Sequence, residues 1–392
     1  MRIRLILIPA LVSIVVGCQG AKPPQDKEAA QKHWSEARAS VLYSLAQDQY
    51  KGHDFDACKQ TLAQAMKISP DGAPLHTLAA KVNIEQGQLE LAEKELEQAR
   101  KFGPKDPEPY YLSGVVYQRW QKPVTALEFY KLAGERAPAE LPYVLAQSEM
   151  LVALGRVPEA LSLLQSRVAY FENSGAIRDA VGQLLVQTGR YAEAIDLFRQ
   201  AAILSENSDP IRERLAMACF CNKQYRDCAE ALTHLLEKDA YSKRADLFAL
   251  RGECQMNLND AHGARRSFET ATELNPLSAR YWQNLGRASL QTGDYKPAEY
   301  ALQRSAGIDP SISETQLLIG YVRLRQEKLS QALAAFQQAS ALDTKDAVSL
   351  CMVGYTYEKM GRPDRAMACY SQAMKLQPAD NLARQLMAGI DK

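Results

Sequence analysis

Three closely spaced cysteines carry the most reactive side chains of the chain. Cys219, Cys221 and Cys228 are near neighbours in the sequence, and His234 follows them. Thiolates and imidazoles bind metal ions, and two thiols of an exported protein can form a disulfide. Three interpretations are open: reduced core cysteines, a disulfide between Cys219 and Cys228, or a redox- or metal-responsive site. The spacing matches no established metal-binding pattern, so we predict no metal and no cofactor.

Little else in the sequence suggests catalysis. The five histidines are not paired at the spacing of a helical metal site. The chain has no P-loop, G-x-S-x-G elbow, dinucleotide fingerprint or pair of catalytic carboxylates, so we predict that it is not an enzyme. Its 47 basic and 46 acidic residues give a formal net charge of +1. Nucleic-acid binding needs a clustered excess of basic side chains, so we predict no nucleic-acid partner.

The N-terminus has the pattern of an export signal. Arg2 and Arg4 precede a mostly apolar run over residues 5–16. A membrane-spanning helix needs about 20 such residues, so the run is too short to cross a bilayer. It ends in Val15-Val16-Gly17-Cys18, which resembles the bacterial lipobox.

The lipobox resemblance implies a lipid-anchored protein of the cell envelope. Residues 1–17 would be the signal peptide, Cys18 would carry the lipid, and residues 18–38 would form the tether and the lead-in to the first helix. Because Gln19 rather than Asp follows the cysteine, the outer membrane facing the periplasm is preferred if the organism is Gram-negative. The alternative is a signal that is uncut or cut elsewhere, with an ordinary cysteine.

Most of the chain repeats itself about every 34 residues. Ten units start at residues 39, 73, 107, 141, 175, 209, 245, 279, 313 and 347. Position 8 of every unit is small, position 20 is Ala or Cys, and position 24 is large and apolar. Small residues at positions 8 and 20 would let the two helices of a unit cross closely, while position 24 would fill the gap toward the next unit.

This pattern resembles the tetratricopeptide repeat (TPR), a helix-turn-helix unit. The resemblance implies an all-α fold, a right-handed superhelical α-solenoid of about ten units. We place repeats 1–6 at residues 39–242 and repeats 7–10 at residues 243–380, because Lys243 and Arg244 are inserted between them. We expect a soft joint at residues 240–244 and a C-terminal capping helix at residues 381–392.

The resemblance also implies that the first helix of each unit lines a concave groove. Near the C-terminus the groove positions combine cations, amides and tyrosines: Arg280, Gln283, Arg287, Tyr321, Arg325, Tyr355 and Lys359. Acidic side chains occupy the middle of the groove: Glu149, Asp179, Glu213, Asp246 and Glu253. Such a polarity could orient a bound partner, although the same charges could instead be only a solvated face.

The leading interpretation is a non-catalytic scaffold that is tethered through Cys18. Its groove would bind an extended or helical segment of a partner protein, in envelope assembly or secretion. One alternative is an export factor that binds polysaccharide or peptidoglycan, and a lesser one is the redox- or metal-responsive protein. A continuous aromatic track would favour the glycan interpretation, and the groove has aromatic residues at Tyr43, Tyr50, Tyr111, Phe220, Tyr321 and Tyr355. The sequence indicates no oligomeric state.

Overall fold

A computed structural model describes residues 27–378 and 382–390 of the chain, and all regular secondary structure in these two ranges is α-helical. The predicted signal peptide, the lipidation site Cys18 and residues 19–26 of the predicted tether lie outside the described residues. No described helix combines the length and the apolar character needed to cross a membrane.

The described chain forms twenty-one helices in two compact units, which divide between Ala160 and Leu161. The helices of the first unit are α1 (Lys27–Lys51), α2 (Phe55–Ile68), α3 (Ala73–Glu85), α4 (Leu89–Phe102), α5 (Glu108–Arg119), α6 (Pro123–Arg136) and α7 (Leu141–Ala153). Helix α8 (Val157–Val168) contains the division. The sequence had placed its own division later, between residues 242 and 243.

The second unit continues to the C-terminus of the described chain. Its helices are α9 (Gly175–Gln187), α10 (Tyr191–Leu204), α11 (Asp209–Cys221), α12 (Tyr225–Leu236), α13 (Ala245–Asn257), α14 (Ala261–Leu274), α15 (Ala279–Gln291), α16 (Tyr295–Ile308), α17 (Ser313–Arg325), α18 (Leu329–Leu342), α19 (Ala347–Lys359), α20 (Pro363–Leu376) and α21 (Leu382–Ile390). Odd-numbered helices from α1 to α19 are called A helices below, and even-numbered helices from α2 to α20 are called B helices.

Within each unit, an A helix packs against the B helix that follows it, and that B helix packs against the next A helix. This stacking of helix pairs confirms the predicted all-α fold class, an α-solenoid. A turn separates the helices of each pair, and its residue at position 15 always has a left-handed backbone with φ between 57° and 80°. Glycine fills this position in five repeats, while five others place a side chain there: His53, Gln121, Lys223, Asn259 and Glu327. Glycine suits it because other residues are strained at positive φ.

The core of a repeat depends on a size match between position 8 of the A helix and position 24 of the B helix. A methyl group on Gly182 would lie 2.6 Å from the Phe198 ring, and one on Gly252 would lie 2.7 Å from the Phe268 ring. Every repeat with an aromatic residue at position 24 has Gly at position 8, whereas leucine usually goes with Ala or Ser. Position 24 therefore packs first on position 8 of its own repeat, which refines the expectation that it faces the neighbouring unit.

The segment expected to be a soft joint is internally bonded. The backbone N–H of Tyr241 donates to the carbonyl of Lys238 at 2.9 Å, and the N–H of Arg244 donates to the carbonyl of Tyr241 at 3.0 Å. Helices α12 and α13, on either side, pack against each other. At the C-terminus, α21 packs on α19 and α20 with Ala383 buried, which is the position expected for a cap.

Candidate partner-binding face

The A helices of repeats 7–9 form a polar groove of about 400 Å³ in the second unit. Its walls come from α13, α15 and α17, which present Glu253, Arg280, Gln283, Arg287 and Glu314. These residues lie on one side because groove positions recur in each repeat and successive A helices stack. The structure thus brings together Arg280, Gln283 and Arg287, three of the seven residues predicted for the basic end.

The cations of this groove are paired with carboxylates of the neighbouring repeat. Arg280 donates to Glu253 at 3.0 Å, and Arg287 forms an ion pair with Glu314. The amide of Gln283 donates to Glu314 at 3.0 Å. Within this groove, Glu253 and Glu314 therefore balance the charges of Arg280 and Arg287.

Four of the five acidic residues predicted for the middle of the groove, all except Glu149, are also paired with arginines. Arg214 donates two hydrogen bonds to Asp179, at 2.8 and 2.7 Å. Arg244 donates to Glu213 at 2.8 Å and to Asp246 at 2.7 and 2.9 Å. These bonds raise the pKa of Arg244, and the hydrogen bond from Arg244 lowers the pKa of Asp246.

These pairs form a series that we call the A-helix ion-pair ladder: Asp179–Arg214, Glu213–Arg244, Glu253–Arg280 and Arg287–Glu314. Each pair joins an A helix, or its N-cap residue, to the A helix two helices away. Sequence reasoning missed Arg214 and Arg244, although opposite charges at groove positions of adjacent repeats could have revealed them. The ladder fixes neighbouring repeats to each other, and its last two pairs also line the groove.

The other residues predicted for the basic end lie outside this groove, further along α17 and α19. The ring of Tyr321 is half-buried and meets Phe336 edge-on, with ring centroids 5.5 Å apart, and burial raises its pKa. Arg325 donates to the hydroxyl of Tyr295 at 3.1 Å. The ammonium of Lys359 lies 5.2 Å from the ring of Tyr355. These contacts hold aromatic faces and cations side by side.

The first unit has a different A-helix face, which is rich in tyrosine. Tyr43, Tyr50 and Tyr111 lie at predicted groove positions and are half-buried. The ring of Tyr143 lies 4.8 Å from that of Tyr111. Sequence reasoning missed Tyr143 because it lies at position 3, which is not a predicted groove position. Glu149, predicted as the first acidic groove residue, is exposed in this unit on α7.

The cysteines predicted as a possible disulfide are both free thiols in this structure. Cys228 is instead hydrogen-bonded to Cys254 of the next repeat. Burial raises the pKa of Cys219 to about 11, and the hydrogen bond between Cys228 and Cys254, together with burial, raises that of Cys228. Cys221 is exposed.

The metal-responsive alternative has no site in the described part of the chain. Over residues 27–378 and 382–390, no three or more His, Cys, Asp or Glu side chains are arranged to hold a metal ion. Cys219 and His234 do line one cavity of about 740 Å³ between α10, α11 and α12, together with apolar side chains such as Ile203 and Leu215. Its walls are mostly hydrocarbon.

Family models of the tetratricopeptide repeat match residues 50–114, 145–209, 250–311 and 347–380, more than half of the chain. No curated protein matches the chain. Among solved structures, the C-terminal part of a TPR repeat-containing protein from Cytophaga hutchinsonii is 15% identical, with a TM-score of 0.52 over 62% of this chain and 99% of that one.

Two further solved structures are similar to shorter parts of the chain. PilF of Pseudomonas aeruginosa is 18% identical over 55% of this chain and 97% of its own, with a TM-score of 0.44. YrrB, described as a TPR protein with an unusual peptide-binding site, is 16% identical over 57% of this chain and 96% of its own, with a TM-score of 0.35. The matched family models and the stacked helix pairs agree, and the chain belongs to the tetratricopeptide repeat family.

Proposed function

We propose that this protein is a non-catalytic scaffold that binds a segment of a partner protein on its A-helix face. Proteins built from TPRs generally mediate protein–protein interactions. The observation that carries the proposal is the groove between α13, α15 and α17, where pre-positioned amides and guanidinium groups surround an open space of about 400 Å³.

The groove is suited to a peptide backbone and polar side chains. Gln283 and Asn284 are 6% and 7% exposed, and each donates to a carboxylate of a neighbouring repeat, so their orientation is fixed before a ligand binds. Arg280 uses one of its five N–H donors on Glu253, which leaves others for the carbonyl groups of a bound segment. Groups held in place beforehand lose little entropy on binding.

We further propose that the scaffold is tethered to a membrane of the cell envelope through Cys18 and acts there in assembly or secretion. The support is the sequence alone: the short apolar run and the lipobox-like ending at Cys18. Replacing Cys18 with Ala should leave an unprocessed, unlipidated precursor. Normal processing of that variant would contradict the tether.

Cross-linked affinity capture from native membranes tests the scaffold. The variant Arg287→Glu/Tyr321→Ala changes Arg287 in the groove and Tyr321 beside it on α17, and we call it the groove variant. It is compared with wild type and with a matched variant, Lys296→Glu/Tyr300→Ala. Lys296 and Tyr300 are exposed on the B helix α16, so the control makes the same changes in charge and ring count away from the groove.

A partner captured by wild type and by the control, but lost by the groove variant, supports the scaffold. Identical partners with all three proteins contradict binding at this groove. Glycan that co-purifies without any protein partner would replace the scaffold with the polysaccharide alternative.

A further inference from the structure

Four tyrosines lie on A helices of the first unit. Tyr43 and Tyr50 lie on α1, Tyr111 on α5 and Tyr143 on α7, and all four are half-buried. The Tyr111 ring lies between two others, 4.8 Å from Tyr143 and 5.5 Å from the buried ring of Tyr130. We call the four half-buried tyrosines the tyrosine face.

Carboxylates surround the tyrosine face. Burial raises the pKa of all four phenols, and nearby acids raise it further, to about 12 at Tyr143. Glu108 is among the acids that raise the pKa of Tyr43, Tyr50 and Tyr143. No lysine or arginine is among the causes of these shifts. These acids outnumber the one lysine of the described chain, Lys81, that forms an ion pair with any of them, so the face has an excess of negative charge.

The carboxylates of this face differ from those of the second unit in their pairing. In the A-helix ion-pair ladder, an arginine of a neighbouring repeat holds each acid. In the first unit, Lys81 pairs with Glu108 at 2.6 Å, whereas Glu85 is exposed and has no ion pair or hydrogen bond to another described side chain. The Lys81–Glu108 contact also shows that an ammonium group fits among these residues.

We propose that the tyrosine face and its carboxylates bind a lysine- or arginine-rich segment of a partner protein. Aromatic faces attract cations through their quadrupole, and nearby carboxylates add to that attraction. Half-buried tyrosines supply contact area at a low entropy cost, since few rotatable bonds become fixed. An acidic segment or a nucleic acid would be repelled by the same charges. This inference deepens the proposed scaffold function and rests on it for the idea that the A-helix side binds proteins.

The test measures fluorescence anisotropy of the full chain with a labelled ten-residue peptide that carries five arginines. A second peptide replaces each arginine with citrulline, which keeps the shape but removes the charge, and a third replaces it with glutamate. We expect the arginine peptide to bind at least tenfold more tightly than either. Equal binding of the citrulline or glutamate peptide would overturn the proposal.

Two variants of equal net charge locate the site. Glu85→Lys/Glu149→Lys reverses two exposed charges of the face, while Glu97→Lys/Glu128→Lys reverses two exposed charges on the B helices α4 and α6. The first should weaken arginine-peptide binding about tenfold and the second by less than twofold. Equal loss in both would show only non-specific attraction and overturn the site.

A third variant, Tyr111→Leu, separates the ring from the charge. It should weaken binding severalfold while leaving the dependence on salt concentration unchanged, because only the aromatic contact is lost. Unaltered affinity would contradict the role of the tyrosines. This assay is independent of the capture experiment at Arg287 and Tyr321. Capture of a groove partner and binding of the arginine peptide are therefore scored separately. Failure of the scaffold proposal can be told apart from failure of the tyrosine-face proposal.

Discussion

Arg244 donates a 2.8 Å hydrogen bond to Glu213, and so joins the start of α13 to α11. The same guanidinium holds Asp246 at 2.7 and 2.9 Å. Arg244 is one of the two residues inserted between repeats 6 and 7, a segment that the sequence led us to expect as a soft joint. The insertion instead supplies a link between repeats where the regular period is broken.

Removing this link should weaken the second unit. Arg244→Ala should lower the free energy of unfolding by about 1 kcal/mol, since the side chain is partly exposed and such pairs are screened by solvent. The inserted neighbour Lys243 is exposed and serves as the control through Lys243→Ala. A double-mutant cycle with Glu213→Ala, followed by urea denaturation, measures the coupling. A coupling near zero would mean that the pair does not stabilise the joint.

The match between positions 8 and 24 predicts a rescue. Gly182→Ala should destabilise the protein by about 1–3 kcal/mol, because the new methyl group meets the Phe198 ring. In the double variant Gly182→Ala/Phe198→Leu, the smaller side chain should recover much of that loss. Repeat 6 already contains this combination as Ala216 and Leu232. Simple additivity of the two changes in thermal denaturation would contradict the size match.

The left-handed turns predict a stabilising substitution. Gln121 has φ of 57°, so Gln121→Gly should relieve about 1–2 kcal/mol of backbone strain. The greater freedom of glycine in the unfolded chain should offset about 0.5–1 kcal/mol of that gain. The reverse control is Gly87→Ala, at φ of 73° with open space around the new methyl group, which should destabilise through the backbone alone. The two melting temperatures should move in opposite directions.

Glu299 predicts a dependence of stability on pH. Burial raises the pKa of this carboxyl, but hydrogen bonding by Arg323 and the charge of Lys328 outweigh it, so the pKa is lowered overall. A depressed pKa stabilises the fold above the unfolded value of about 4.3, and this contribution disappears as the pH falls through the folded value. Glu299→Gln should therefore lower stability at pH 7, and this deficit should shrink as the pH falls below about 4.3.

The exposed residue Glu273 provides the control for that experiment. Glu273→Gln should have the same stability as wild type at each pH between 3 and 7, measured by urea denaturation. A Glu299→Gln deficit that persists unchanged at pH 3 would point to lost packing rather than to the ion pair.

Burial predicts the order in which the thiols react. In the native protein at pH 8, a chromogenic disulfide reagent should modify exposed Cys221 first and half-buried Cys369 more slowly. Five buried thiols should react only after unfolding, because the reagent cannot reach them in the native protein: Cys58, Cys219, Cys228, Cys254 and Cys351. Cys221→Ser should abolish the fast phase. Two thiols that appear only after reduction would instead support the predicted disulfide of Cys219 and Cys228.

The fold could be predicted closely because repeat packing depends on residue size, which is visible along the chain. Helix α9 begins at Gly175 and α15 at Ala279, which are the first residues assigned to repeats 5 and 8 from the period. The candidate site was less predictable. Arg280 and Glu253 were assigned to opposite groove regions, yet they form a pair, because stacking brings side chains of neighbouring repeats together. The charge of a face depends on such pairing as well as on composition.

The size match of Gly182 with Phe198, and of Ala216 with Leu232, also affects how repeats can be added to such a chain by recombination. An unequal crossover that duplicates a whole repeat copies position 8 together with its matching position 24, so the two helices of the added repeat already pack on each other. A crossover inside the turn that joined the A helix of repeat 6 to the B helix of repeat 5 would set the methyl group of Ala216 against the Phe198 ring. Genetic exchange should therefore leave its junctions between repeats.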